Sequence, residues 1–375
     1  MAIGINVSSW EELDDPRHLT RNNMSLMERL KSASTIKESS MLSESKFFEE
    51  GEKTVTDIPA VNIALSGALD DGFGSGLIIW AGPSKHFKTC FTLLMMKAYL
   101  DKYPDAVALF YDSEFGSPQS YFESFNIDTS RVMHTPVTNI EELKFDLMKQ
   151  MDGIKRGDHV FIALDSAGNI ASKKEVDDAL DGKSVADMTR AKQLKSLFRM
   201  VTPHLTMKKI PMVVVNHTYK TQEMFSKDVM SGGTGPYYSA SSIFIVGRQQ
   251  EKDGTDLVGY NFVINIEKSR FTREKSKIFI QVINESGINK WSGLMDMALE
   301  SGHVIKPKNG WYAKVNMETG EIDPKNWRLA DTNSAAFWAP VLASASFKKY
   351  VKDTYQLAGG EMIADSEIDA ELEEV

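Results

Sequence analysis

A run of eight residues in the first third of the chain could bind the phosphates of a nucleotide. Residues 82–89 read GPSKHFKT, which matches the G-x-x-x-x-G-K-[ST] spacing except at one position. The run follows an apolar segment and opens a predicted helix, so backbone N–H groups would face the phosphate oxygens. Lys88 would reach the β- and γ-phosphates, and the Thr89 hydroxyl would ligate Mg²⁺. The residues expected to hold the nucleotide are Gly82, Pro83, Ser84, Lys85, His86, Phe87, Lys88, Thr89 and Cys90.

One residue departs from this pattern. Phe87 occupies the position of the second glycine, where glycine gives the backbone conformational freedom close to the phosphates. A phenylalanine can adopt helical backbone angles, so we expect the loop to keep its shape. The alternative is a chance turn of the same composition.

Two carboxylates are placed to complete an ATP-hydrolysing site. Asp165 ends the apolar run VFIALD, and the carboxyl ends of parallel strands form the ligand side of an open α/β sheet. Asp165 could hold the Mg²⁺ shell there through water, or it could simply cap the following turn. Glu114 lies just beyond the run AVALFYD, at the same edge. It is the candidate base that orients the attacking water, and the alternative is a surface-loop glutamate.

These residues need a sheet to position them, and the middle of the chain predicts one. Short apolar runs alternate with amphipathic segments, which is typical of a mostly parallel sheet with helices on both faces. The last two predicted strands are close enough in sequence to pair antiparallel, and a small α/β region follows Gly293. The predicted strands are 77–81, 106–112, 160–165, 212–216, 243–247, 262–267 and 277–282, and the predicted helices are 88–102, 141–151, 188–207, 294–300 and a stretch ending near 357.

The composition is that of a soluble chain that could carry basic loops. The 375 residues have a net charge of −9, but residues 361–375 hold seven acidic residues and no basic one, which leaves the remainder near neutral. This tail either solubilises the protein or competes with DNA phosphates for a basic surface. The single cysteine excludes an intramolecular disulfide and indicates a reducing, cytoplasmic setting. No run approaches the roughly 18 apolar residues that cross a membrane.

Several longer stretches resemble the RecA/Rad51 family of recombinases, and most closely its T-even phage branch. They are PAVNIALSG, GPSKHFKT, YPDAVALFYDSEFG, MTRAKQLKSLFRMVTP, NHTYKTQEMFSK, GGTGP and KPKNGWYA, and the resemblance covers roughly residues 25–357. Phage members also lack the second glycine of the loop. The resemblance implies a RecA-like core at 52–290, a small C-terminal domain at 291–360 and an acidic tail at 361–375. Residues 1–51 would be a polymerisation segment, with short amphipathic helices between 25 and 48 that need another surface to pack on.

The resemblance also implies roles for four residues that spacing alone leaves open. Tyr121 matches a tyrosine that stacks on adenine; otherwise it is a core aromatic. His217 stands where RecA has a glutamine that senses the γ-phosphate; otherwise it is an ordinary strand-end residue. Lys268 and Arg270 match two basic residues that reach across a filament interface to the neighbour's ATP, as an arginine finger does in trans. Their alternative is a pair of solvated charges.

Two segments after strand ends, 172–187 and 219–235, are predicted to be irregular and to face DNA. Connections this long are usually functional or disordered. Cations interleaved with aromatic residues suit the phosphates and bases of single-stranded DNA. The first segment also contains Glu175, Asp177, Asp178 and Asp181, so it becomes a DNA site only through the resemblance. The predicted DNA-binding residues are Lys173, Lys174, Lys183, Arg190, Tyr219, Lys220, Phe225, Lys227, Gly232 and Gly233.

Together these features predict a Mg²⁺-dependent, DNA-stimulated ATPase. It would form a helical filament on single-stranded DNA and pair it with homologous duplex in recombination, repair and recombination-dependent replication. A single-strand-binding protein and a mediator protein are expected partners, and no membrane is. One alternative is a hexameric helicase of the same core fold, for which residues 1–50 are short. Others are an ATP-responsive DNA-binding filament with little hydrolysis, motivated by Phe87, and a metabolite kinase.

Overall fold

The computed structural model describes residues 25–36, 38–45, 51–182, 189–221 and 228–357. The chain divides into two compact units, residues 1–50 and 51–375. In the first unit, helix α1 (Leu26–Ala33) begins at a capping box in which Ser25 and Glu28 exchange hydrogen bonds. A single 3-10 turn spans Leu42–Glu44. No described residue of this unit is buried. The apolar side chains of helix α1 are therefore exposed to solvent.

A nine-stranded sheet forms the centre of the second unit. Its order is β11-β10-β9-β8-β1-β5-β4-β2-β3. Neighbouring strands among β8, β1, β5, β4, β2 and β3 pair parallel, and neighbouring strands among β8, β9, β10 and β11 pair antiparallel. A two-stranded hairpin pairs β6 with β7, and a small antiparallel sheet joins β12, β13 and β14. The strands are β1 (Gly76–Ala81), β2 (Val107–Asp112), β3 (Val132–Pro136), β4 (Val160–Asp165), β5 (Pro211–Asn216), β6 (Thr218–Lys220), β7 (Asp228–Met230), β8 (Ser242–Asp253), β9 (Asp256–Ser269), β10 (Lys277–Ile283), β11 (Gly287–Ile288), β12 (Val304–Lys308), β13 (Trp311–Lys314) and β14 (Trp327–Arg328).

Helices cover both faces of the large sheet, as the alternating pattern predicted. Strands β1, β4 and β5 are buried throughout, because each has apolar side chains on both faces. On one face Trp80 stacks between Phe91 and Phe244, with ring centroids 4.7 and 4.4 Å apart. The helices are α2 (Pro59–Ser66), α3 (Lys88–Lys102), α4 (Gln119–Ser124), α5 (Ile140–Gly153), α6 (Lys173–Leu180), α7 (Thr189–Lys208), α8 (Thr234–Ser239), α9 (Leu294–Glu300), α10 (Ala335–Ala343) and α11 (Ala345–Tyr355).

The parallel register brings four strand ends to one edge of the sheet. Ala81 pairs with Asn216 at the ends of β1 and β5, and Asp112 pairs with Asp165 at the ends of β2 and β4. Since all of these strands point the same way, the residues that follow them share one rim. The sequence prediction that residues 82–89, Glu114 and Asp165 lie together depends on this register.

Two predictions of irregular structure were wrong. Much of segment 172–187 is helix α6, which begins where the Ser172 side chain accepts a hydrogen bond from the backbone N–H of Glu175. Such a serine cap three residues before a glutamate is a helix-start signal. In segment 219–235, β6 and β7 form a hairpin and α8 begins at Thr234. The sequence interpretation also missed α2 and the edge strand β3.

The small α/β region after residue 293 is present and shares the main core. Trp327, Phe337 and Trp338 are buried in the same apolar cluster as β10 and α9. Trp327 and Phe337 meet edge to face with centroids 5.6 Å apart. In the described part of the chain, no helix is long and apolar enough to span a bilayer. The acidic tail lies outside the described residues.

Candidate active site

The predicted phosphate loop, residues 82–89, connects the end of β1 to the start of α3. Gly82 approaches strand β8 so closely that a Cβ atom there would lie 2.8 Å from the Val246 carbonyl oxygen. Only glycine fits at that position. Helix α3 begins at Lys88, so its first backbone N–H groups open toward the loop. This is the strand–loop–helix context that phosphate binding requires.

Phe87 keeps the loop in shape, but by left-handed rather than ordinary helical angles. Its φ of 62° and ψ of 14° lie where a glycine is usual, and a side chain there costs about 1–2 kcal/mol. The Phe87 ring stacks on Phe262 at 4.8 Å and meets Phe91 edge to face at 5.4 Å. Aromatic pairs stabilise by about 0.5–1.5 kcal/mol each beyond burial. The two ring contacts therefore offset the backbone strain.

Lys88 is held at the mouth of the loop. Its side chain is buried, and Nζ donates to the Pro83 carbonyl oxygen at 2.7 Å. Burial lowers the pKa of Lys88, while the nearby Glu114 and Asp165 charges oppose that shift. A cation held inside the loop by a single carbonyl can be drawn to phosphate without a large rearrangement.

Thr89 and Asp165 form the expected metal-binding pair. The Thr89 hydroxyl donates to Asp165 Oδ2 at 2.6 Å, while Asp165 Oδ1 is buried and has no hydrogen-bond partner among the described residues. Burial raises the pKa of Asp165 to about 6. An orphaned carboxylate oxygen beside a hydroxyl is a donor set that suits Mg²⁺. The residues therefore fit the ion that the sequence implied.

Glu114 and His217 line the same pocket as this pair and are hydrogen-bonded to each other. His217 Nε2 donates to Glu114 Oε1 at 2.7 Å, and the Ser166 hydroxyl donates to the same oxygen. The bond from His217 holds the pKa of Glu114 below its usual range, although burial opposes it. Glu114 is therefore ionised at neutral pH and able to accept a hydrogen bond from water. Gly168 makes room for His217, since a Cβ atom at Gly168 would lie 2.3 Å from its Cδ2.

Tyr121 lines the same pocket. Its hydroxyl hydrogen-bonds the Cys90 thiol, which joins α4 to the first turn of α3. Burial raises the pKa of Cys90 to about 11, so this thiol stays protonated. The pocket has a volume of about 600 Å³, within the range of small-molecule sites. The predicted residues that line it are Ser84, Lys85, His86, Phe87, Lys88, Thr89, Cys90, Glu114, Tyr121, Asp165 and His217.

Lys268 and Arg270 lie apart from these residues. Neither lines the pocket of its own chain. Lys268 Nζ donates to the Tyr237 carbonyl oxygen at 2.7 Å and lies 5.4 Å from the centre of that ring, and Arg270 is exposed. A role in a neighbour's site stays a prediction.

Apart from Arg190, the predicted DNA-binding residues fall into three groups. Tyr219 and Lys220 are exposed on β6, and Gly232 and Gly233 have φ values of 92° and 74° that favour glycine. Lys173 and Lys174 lie on the exposed surface of α6, where Lys174 also pairs with Asp178. A DNA contact by these residues stays a prediction. Lys183, Phe225 and Lys227 lie outside the described residues.

Arg190 forms hydrogen bonds within the protein, which its sequence position did not indicate. Its guanidinium donates to the carbonyl oxygens of Ile170, Ala167 and Gly168 at 2.9, 2.8 and 2.6 Å, and to the Ser231 hydroxyl at 3.3 Å. These bonds brace the loop after β4 against the segment after β7. The side chain is thus used inside the protein, and the structure lends no support to its predicted DNA contact.

Ser231 links the nucleotide pocket to the predicted DNA-facing hairpin. Its backbone N–H donates to the His217 carbonyl oxygen at 2.8 Å. The Asn216 side-chain amide donates to the Ser231 carbonyl oxygen at 2.9 Å and accepts from the His217 N–H. His217 therefore touches Glu114 through its ring and the hairpin through its backbone.

The site residues that the sequence did not reveal are small ones. Ser166 and Ser113 bond each other across the ends of β4 and β2: the Ser113 hydroxyl donates to the Ser166 carbonyl oxygen at 2.8 Å and accepts from its N–H at 3.0 Å. The only available signal was their place beside predicted strand-end carboxylates.

The chain is similar to known recombination proteins. The family model described as "Bacteriophage T4, Recombination and repair protein, C-terminal domain" matches residues 291–351. The "Recombination and repair protein" of Enterobacteria phage T4 is 53% identical over 354 residues, which are 93% of this chain and 90% of that protein.

More distant relatives match a smaller share of the chain. The "Protein RecA" of Nocardioides sp. is 24% identical over 269 residues, 70% of this chain and 75% of that protein. The "Protein RecA" of Streptomyces rimosus is 24% identical over 278 residues, 73% and 72% of the two chains. The central parallel sheet, its phosphate loop and the match to the phage protein over nearly the whole length all point one way: this chain belongs to the RecA/UvsX family of recombinases.

Proposed function

We propose that this protein is an ATP-dependent recombinase that assembles on single-stranded DNA and exchanges it into homologous duplex. The observation that carries the proposal is the convergence of Lys88, Thr89, Asp165, Glu114 and His217 on one pocket. A lysine for the phosphates, a hydroxyl–carboxylate pair and an ionised base are the parts that phosphoryl transfer to water needs. Membership in a family that includes a recombination and repair protein supports the DNA role.

The chain's own residues divide the work of hydrolysis. Lys88 would leave the Pro83 carbonyl and meet the β- and γ-phosphates. Thr89 and Asp165 would hold Mg²⁺, which supplies positive charge against the phosphates when bound. Glu114 would accept a hydrogen bond from the attacking water and take its proton. His217, already bonded to Glu114, would register whether the γ-phosphate is present.

The link through Ser231 supports coupling between nucleotide and DNA. A shift of His217 on nucleotide binding would move the hairpin of β6 and β7 through two backbone-directed hydrogen bonds. Binding of DNA to that hairpin would bias the same contacts, because coupling between two sites is reciprocal. The base pairing of the strands would supply sequence matching, so the protein needs to hold only backbone phosphates.

Assembly would complete the site. Lys268 and Arg270 do not line their own chain's pocket, which is compatible with a cation pair offered to a neighbour's ATP in a helical filament. The proposal includes a single-strand-binding protein and a mediator protein as partners of this filament.

The experiment that tests this proposal is ATP hydrolysis with and without single-stranded DNA. We expect turnover that rises several-fold or more with DNA and disappears in Lys88→Ala, while circular dichroism shows a folded mutant. DNA binding that depends on ATP without phosphate release would instead favour the filament with little hydrolysis. Undiminished turnover in folded Lys88→Ala would overturn the phosphate-loop assignment.

A further inference from the structure

A buried carboxylate beside the pocket is not used by the proposed chemistry. Asp112 ends β2 and is 3% exposed. It pairs in register with Asp165, and the charges of Glu114 and Asp112 both contribute to the raised pKa of Asp165. A third negative charge at this rim is electrostatically unfavourable. Hydrogen bonds to the Asp112 carboxylate can compensate for this repulsion, and the structure contains them.

Both oxygens of Asp112 are engaged. Oδ1 accepts the backbone N–H groups of Glu114 at 3.0 Å and Phe115 at 2.7 Å. Oδ2 accepts a hydrogen bond from His134 Nε2 at 3.1 Å. An aspartate that bonds the N–H groups two and three residues ahead fixes a tight turn. The turn it fixes is the one that carries Glu114.

The turn needs that support because its backbone is strained. Phe115 has a φ of 55°, although it is not a glycine, and its side chain is 61% exposed. Such a conformation is unfavourable for a residue with a side chain and persists only when surrounding bonds hold it in place. The Phe115 ring gains little burial in return. The hydrogen bond from the Phe115 N–H to Asp112 Oδ1 acts directly on this strained residue.

We infer that Asp112 is the positioning residue of Glu114: its carboxylate sets the turn 112–115 so that the Glu114 side chain meets His217 and Ser166. His134 holds the second oxygen of Asp112 and so fixes the rotation of the carboxylate. The inference rests on the proposed role of Glu114 as the water-orienting base. Asp112 itself does not line the nucleotide pocket.

The test compares substitutions at residue 112 in the full-length protein. Asp112→Ala removes both acceptors, and we expect kcat for DNA-stimulated ATP hydrolysis to fall about 10–100-fold, with nucleotide affinity changed less than about threefold. Asp112→Asn keeps an oxygen that can accept both N–H groups, so it should retain much of the wild-type rate. Asp128→Ala is the matched control, because Asp128 caps a surface turn by bonding Ser130 N–H at 3.0 Å and touches nothing in the site.

A double substitution separates positioning from a general loss of stability. In a Glu114→Gln background, Asp112→Ala should cause little further loss of kcat, because the group it positions is already gone. The inference would be overturned if the loss of kcat in the double variant equalled the product of the losses in the two single variants. A normal rate in Asp112→Ala when Glu114→Gln is inactive would also overturn it. A normal rate in Glu114→Gln would instead refute the proposed base.

A second readout does not depend on turnover. The ring resonances of His217 in nuclear magnetic resonance spectra report its contact with Glu114. We expect Asp112→Ala to shift them in the same direction as Glu114→Gln, while Asp128→Ala leaves them unchanged. Unchanged His217 resonances in folded Asp112→Ala would contradict the inference even if the rate fell.

Discussion

At the scale of single residues, Phe87 departs from the expected motif and yet has the backbone conformation that the motif's glycine would adopt. The sequence placed a bulky side chain where glycine is usual, and the structure keeps the left-handed backbone that glycine would adopt. The stack on Phe262 and the edge contact with Phe91 hold it there. The motif could be recognised from sequence, but the compensation could not, because Phe262 lies 175 positions further along the chain.

This explanation predicts an unusual order of stability. Phe87→Gly and Phe87→Ala both lose the ring contacts, but only alanine keeps the strained backbone, so Phe87→Gly should be the more stable by about 1 kcal/mol. Urea unfolding without nucleotide measures the difference. Exposed Phe145, inside α5, is the matched control, since there alanine should exceed glycine by about 1 kcal/mol. An alanine variant at residue 87 as stable as the glycine variant would contradict the account.

Asp165 offers a pH-dependent test. Burial raises its folded-state pKa to about 6 from 3.8, so the folded protein binds this proton more tightly than the unfolded chain. The stabilisation from protonation is therefore present below about pH 3.8 and is lost as pH rises through about 6. Without Mg²⁺ and nucleotide, Asp165→Asn should be more stable than wild type at pH 7.5, by on the order of 1–3 kcal/mol.

That advantage should shrink as pH falls from 6 toward 4, because wild-type Asp165 becomes neutral there. Unfolding midpoints at several pH values measure it, with EDTA present. A pH-independent difference between the two proteins would show that the Asp165 charge is not the cause. The same substitution should weaken Mg²⁺-dependent nucleotide binding.

At the scale of elements, the sequence predicted the parallel strands well and their connections poorly. Strand 160–165 was predicted with the observed bounds because a buried strand has a continuous run of apolar residues. Helix 294–300 was also predicted with the observed bounds. Segment 172–187 was predicted to be irregular because it is a long connection rich in Lys, Gly and Ser, yet a serine cap begins α6 there. The role of Arg190 depends on carbonyls of a loop about twenty residues away, which no local pattern reveals.

The connection through Asn216 makes a prediction about coupling. Asn216→Ala removes the bond to the Ser231 carbonyl at the base of the β6–β7 hairpin. We expect the stimulation of ATP hydrolysis by single-stranded DNA to fall several-fold while ATP affinity stays close to wild type. Asn265→Ala is the matched control, because its amide donates to the Ile245 carbonyl oxygen at the same 2.9 Å, away from the hairpin. Equal stimulation in Asn216→Ala and wild type would remove this link from the account.

At the scale of the whole molecule, we propose a site that is complete only between copies. Lys268 donates to the Tyr237 carbonyl oxygen and does not line the pocket of its own chain, so in this proposal it contacts the ATP of a neighbouring copy. The sequence alone indicated this only through family resemblance, since no spacing relates residues 268 and 270 to the phosphate loop. Oligomeric geometry is not encoded in a local pattern.

Mixing two inactive variants tests the shared site. Arg270→Ala should bind nucleotide nearly normally but lose on the order of 10³-fold in DNA-stimulated hydrolysis, as expected when a cation meeting transferring phosphate is removed. Combined with Lys88→Ala, it should recover part of the activity, because some interfaces then join an intact loop to an intact cation pair. Co-assembly is verified by labelling the two variants with a fluorescent donor and acceptor. Co-assembled mixtures without any recovery would place Arg270 outside a shared site.

The most direct test of the central claim is strand exchange itself. The measurement follows transfer of a fluorescently labelled strand from a duplex to a protein-coated single strand, with a homologous and a heterologous duplex compared. We predict transfer that requires ATP and Mg²⁺, occurs only with the homologous duplex, and is lost in Lys88→Ala. ATP-driven separation of both duplexes regardless of homology would contradict the account and identify a helicase on the same fold.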